Sequence, residues 1–81
     1  MPRISSKVDK DEHLVKVGAA IRARRKAAGV SQESLADYAG VDRSHMGKIE
    51  RGERNVTLLN LVRIAEAMEC RPSDVLAEAG L

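Results

Sequence analysis

Residues 32–49 read QESLADYAGVDRSHMGKI, and the fold turns on how this stretch is divided. Leu35, Ala36 and Ala39 fall on one side of a short helix that Ser31 can cap, with Glu33 and Ser34 in its first turn. Gly40 can take the positive φ that ends it. Val41 follows as a corner plug, and Asp42 caps a second helix that runs to about Arg51 and sends Met46 and Ile49 inward. Ala36 is small enough to let the two helices approach. Two helices joined by three or four residues predict a helix-turn-helix, and so many positional constraints met in one short window point to DNA binding rather than to a hairpin that merely packs.

Around this hairpin the same period predicts three more helices. The first begins near Asp9 or Asp11, runs to Ala28 and stops at Gly29, with Leu14, Val17, Ile21 and Ala28 on its apolar stripe. Thr57 caps a fourth, whose Leu58, Leu61, Val62, Ala65 and Met68 form a wide apolar face with Leu59 and Ile64 at its edges. Pro72 suits the first turn of a fifth, which extends to about Ala79 with Val75 and Leu76 apolar. The expected fold class is therefore all-α, a compact five-helix bundle over residues 11–81. Residues 1–10 are polar, without a sustained period, and read as a flexible N-terminal arm.

Composition agrees with one small helical domain. Among 81 residues 43% are apolar but 1% aromatic, so Leu, Ile, Val, Ala and Met must build the core. The net charge of +2 permits an anionic partner without demanding one. Cys70 stands alone, which leaves no disulfide framework and no Cys cluster for zinc, and a small buried apolar role suits it best. No stretch approaches the ~20 apolar residues of a membrane span, nor is there a secretory signal, so a cytoplasmic location is expected.

Several charged residues acquire meaning from their place on these helices. Arg25 lies in the apolar stripe of the first helix, where an unpaired guanidinium would be costly, so a carboxylate must meet it. Glu50, on the flank of the inward stripe of the third helix, is the best candidate. That helix turns Ser44, Gly47, Lys48 and Arg51 away from the core. Arg22, Arg24 and Lys26 form either a solvated face or a set of phosphate contacts. Free N–H groups at Thr57 and beyond suit a phosphate.

Through GVSQESLADYAGVDRSHMGKIERGERNVTLLNLVRIAEAM, residues 29–68, the chain resembles the phage-repressor-like, or XRE-type, helix-turn-helix regulators. The stretch VDRSHMGKIERGERNVTL, residues 41–58, looks most like the controller proteins of restriction-modification systems, dimers that regulate their own operon. The resemblance implies five helices with the third in the major groove. It implies that Gln32 contacts phosphate, that Arg43, Ser44 and Lys48 read bases, and that Arg54 and Asn55 meet the DNA backbone. It also implies an internal ion pair between Arg25 and Glu50, in agreement with the helical wheel. His45 and Gly47 depart from the family, where an aromatic and a serine are common; His45 either bonds a phosphate or base, or covers the helix flank.

The expected partner is double-stranded DNA, read at a palindromic operator by a homodimer. Leu59, Ile64, Val75, Leu76 and Leu81 offer more apolar surface than one small core needs, and are the expected dimer interface. No cofactor, metal, membrane or small-molecule ligand is expected. An antitoxin or adaptor that uses the fold to grip another protein is the rival reading. An enzyme is disfavoured, because His13 and His45 lie on different helices without triad partners.

Overall fold

A computed structural model describes residues 9–81; most of the expected N-terminal arm, residues 1–8, lies outside them. Five helices follow one another, α1 His13–Ala27, α2 Gln32–Ala39, α3 Arg43–Glu50, α4 Leu58–Ala67 and α5 Pro72–Glu78, with no strand among the described residues. α1 packs on α3 and α5, α2 on α3 and α4, and α4 on α5, so each helix closes against at least two others. Ile21, Leu35, Met46, Ile49, Ile64 and Val75 fill the centre.

The turn chemistry accounts for most of the helix boundaries. The Ser31 hydroxyl accepts from Ser34 N (3.0 Å), the Asp42 carboxylate from His45 N (3.2 Å), and the Thr57 hydroxyl from Asn60 N (3.1 Å). Gly40 takes φ 68°, which lets Val41 N donate back to the Ala36 carbonyl (2.9 Å) and turns the chain sharply into α3. Ala36 is buried in the core.

At the start of α1 the expected boundary shifts. The helix opens at His13, after Glu12 in a left-handed conformation, rather than next to Asp9 or Asp11. Asp9 nevertheless caps it from a distance: its two carboxylate oxygens accept from His13 N (2.9 Å) and Leu14 N (3.0 Å). Ala28 falls just past the helix end and is exposed, so it does not join the apolar stripe.

The C-terminal apolar residues are redistributed too. Ile64 and Val75 were expected on a dimer surface, yet both are fully buried in the core of the single chain. Leu61, Ile64, Ala65 and Met68 follow the i, i+3, i+4, i+7 spacing, so the stripe of α4 runs through Ile64 rather than Leu58. Seven-residue α5 drives Val75 into the core between α1 and α4, while Leu76 is half-buried against it. Leu58, Leu59 and Leu81 are left exposed, at 76%, 57% and 54%.

Candidate nucleic-acid interface

α3 is held in place by α1 and α2. Its inner face buries Met46 and Ile49, and its last residue, Glu50, is the acceptor that Arg25 requires. Arg25 Nε donates to Glu50 Oε2 (2.8 Å) and Nη2 to Oε1 (3.0 Å), while Nη1 donates to the Val30 carbonyl (3.0 Å). The pair thus ties α1 to the end of α3, and Arg25 also clamps the chain entering α2. Gln32 joins the network from the first turn of α2, its Nε2 donating to Glu50 Oε1 (3.2 Å). No buried side-chain nitrogen or oxygen among the described residues lacks a partner.

Outward from this anchor, Arg43 and Ser44 are exposed in the first turn of α3, and His45 and Lys48 are half-buried. Arg43 Nη1 lies 3.7 Å from Glu33 Oε2, so α2 lends it a loose acidic neighbour. Arg51, just past α3, donates from Nε to Glu53 Oε2 (2.6 Å). That hydrogen bond holds the Glu53 carboxyl below the ordinary carboxylate range, and raises Arg51 in turn. Arg54 and Asn55 are exposed in the loop before α4, next to the capped helix start at Thr57.

Gly47 differs from expectation. It is buried rather than open, because the Gln32 and Arg51 side chains lie over it: a Cβ there would stand 3.4 Å from Gln32 Oε1 and 3.2 Å from Arg51 Nη1. Three residues were not assigned to the site from the sequence. Glu53 carries a legible signal, a carboxylate two residues from an arginine. Glu33 is ten positions from Arg43, and Gly18 touches α3 only through the fold; neither leaves a local mark.

The described residues contain no cluster of three His, Cys, Asp or Glu side chains placed to hold a metal, and no helix long and apolar enough to cross a membrane. What the site offers instead is a short, basic, outward helix whose inner side is fixed by packing and by a buried ion pair.

This chain belongs to the helix-turn-helix family, whose sequence profile matches residues 21–75. It is similar to the control protein C.SmaI of Serratia marcescens, at 39% identity over 61 residues covering 75% of this chain and 73% of that one. Among solved structures it is similar to the restriction-modification controller protein C.AhdI of Aeromonas hydrophila: 47% identity, TM-score 0.75, 76% of this chain and 94% of that one. The DNA-binding domain of the P22 c2 repressor superposes with TM-score 0.71 at 33% identity, over 74% of this chain and 79% of that one. The resemblance drawn from residues 29–68 is therefore met by relatives of both kinds, controllers and a phage repressor.

Proposed function

We propose that this protein is a sequence-specific transcription regulator that binds a palindromic operator as a homodimer and controls a restriction-modification operon. The observation that carries the reading is the placement of Arg43, Ser44 and Lys48 on a rigidly anchored outward helix, in a chain similar to C.SmaI and C.AhdI. α3 lies in the major groove. Arg43 suits guanine, because its fork reaches O6 and N7 together, Ser44 serves several bases, and Lys48 adds a flexible cation. Gln32, Arg54, Asn55 and the free N–H groups of the first turn of α4 hold the phosphates and set the register.

The DNA-binding unit extends from Asp9, whose carboxylate caps α1, to Leu81. The work is binding, with no catalytic step, and is carried out in the cytoplasm. Exposed Leu59 and Leu81, with half-buried Leu76, form the twofold surface, which sets two recognition helices about 34 Å apart, in successive major grooves.

Sedimentation of the protein with a duplex carrying its own promoter, combined with footprinting, tests this reading. Two copies protecting two half-sites one helical turn apart are expected. A single copy on an unsymmetrical site would refute the homodimer, and protection no stronger than on random duplex would refute the operator.

A further inference from the structure

We propose that Glu53 is a positioning residue for a second base-reading arginine, Arg51, whose guanidinium it holds across the bare backbone at Gly47. The inference rests on the DNA-binding reading above and deepens it. Arg43, Gly47 and Arg51 succeed one another at i, i+4 and i+8, so they line one strip along the outward side of α3. Arg51 does not simply extend into solvent from that strip. Its Nε donates to Glu53 Oε2 (2.6 Å) and its Nη2 to Glu53 Oε1 (3.4 Å), so one edge of the guanidinium is taken by the carboxylate. The remaining Nη1 lies 3.2 Å from the point where a side chain at 47 would begin.

Each part of this arrangement has a cost that positioning explains. Glycine is a poor helix former, and it stands in the middle of α3. A Cβ there would touch Gln32 Oε1 at 3.4 Å and press on Arg51 Nη1 at 3.2 Å, so Arg51 would have to give by a few tenths of an ångström. A carboxylate beside a phosphate-facing surface repels the backbone it approaches. In return, the guanidinium is oriented before DNA arrives, with Nη1 and the second N–H of Nη2 left without an acceptor in the fold. Together they present two parallel donors, which match the O6 and N7 acceptors of guanine; adenine offers a donor beside its N7 and fits poorly. The group at position 47 is therefore supplied by Arg51, folded back one turn.

Selection of bound duplexes from a random pool tests this with wild type, Glu53→Gln and Arg51→Lys, each first shown to fold by its thermal melt. Wild type is expected to prefer guanine at one base pair per half-site distinct from those whose preference Arg43→Ala relaxes. Both variants should lose roughly 5- to 150-fold of that preference while the positions read by Arg43 keep theirs. Glu53→Gln should bind random duplex as tightly as wild type or tighter, since a negative charge is gone. Variant profiles identical to wild type, or a loss spread evenly over all sequences, would make Arg51 a phosphate contact and overturn the proposal. A wild-type protein that enriches no sequence would overturn the DNA-binding reading itself, and this inference with it.

Discussion

Arg25 on α1 and Glu50 at the end of α3 face each other across two hydrogen bonds of 2.8 and 3.0 Å, with side chains only 11% and 3% exposed. Two charges removed from water at this depth are tolerable because each is matched: Arg25 by Glu50 and the Val30 carbonyl, Glu50 by Arg25 and Gln32. Removing one partner leaves the other buried and uncompensated. Glu50→Ala should lower stability by about 3–5 kcal/mol. Replacing both, with Arg25→Met and Glu50→Leu together, should recover most of that loss. Chemical denaturation of the three proteins measures it; a Glu50→Ala variant as stable as wild type would mean that the pair is open to solvent.

Gly18 makes the second contact between α1 and α3, and it is a steric one. A Cβ at this position would stand 2.6 Å from the Glu50 carbonyl oxygen and 2.8 Å from its carbonyl carbon, both backbone atoms that cannot swing aside. In an ordinary helix Gly→Ala would add about 1 kcal/mol of helix propensity. Here the sign reverses, and Gly18→Ala should cost about 1–3 kcal/mol by forcing the helices apart. A melting curve decides between the two signs.

The contrast between these neighbours shows what the sequence can disclose. Arg25 was legible because a charge interrupted an apolar stripe, and Glu50 because it bordered another. Ser31, Gly40, Asp42 and Thr57 were legible because capping and turning are local chemistry. Gly18 carried no such mark, since a glycine needed for close approach looks like any other until its neighbour is known. Ile64 and Val75 were misplaced for a related reason: an apolar residue at the edge of a stripe, or on a short helix, can face a core or a partner, and only the packing of α4 and α5 decides. Gly47 was assigned to the outward face by period alone, which does not register the Gln32 and Arg51 side chains lying over it.

The proposed dimer surface is redrawn by that burial. With Ile64 and Val75 committed to the core, Leu59 is suited to probe it, because it is 57% exposed in the single chain. Leu59→Asp should shift the monomer–dimer equilibrium toward monomer by at least tenfold and weaken operator binding at low protein concentration, since dimer and DNA are linked. Its melting temperature as a monomer should match wild type within a few degrees. Analytical ultracentrifugation across a concentration series checks it, and an unchanged dimer would move the interface elsewhere.

On the proposed reading α3 reads bases while the residues around it hold phosphates, and binding-site selection with wild type, Arg43→Ala and Arg54→Ala decides whether it does. Arg43→Ala should lose about 1–3 kcal/mol on the preferred site and relax the preference at one base pair of each half-site. Arg54→Ala should weaken every sequence about equally and reduce the salt dependence of binding, with the selected motif unchanged. A motif that survives Arg43→Ala intact would contradict the assignment of α3 as the recognition helix.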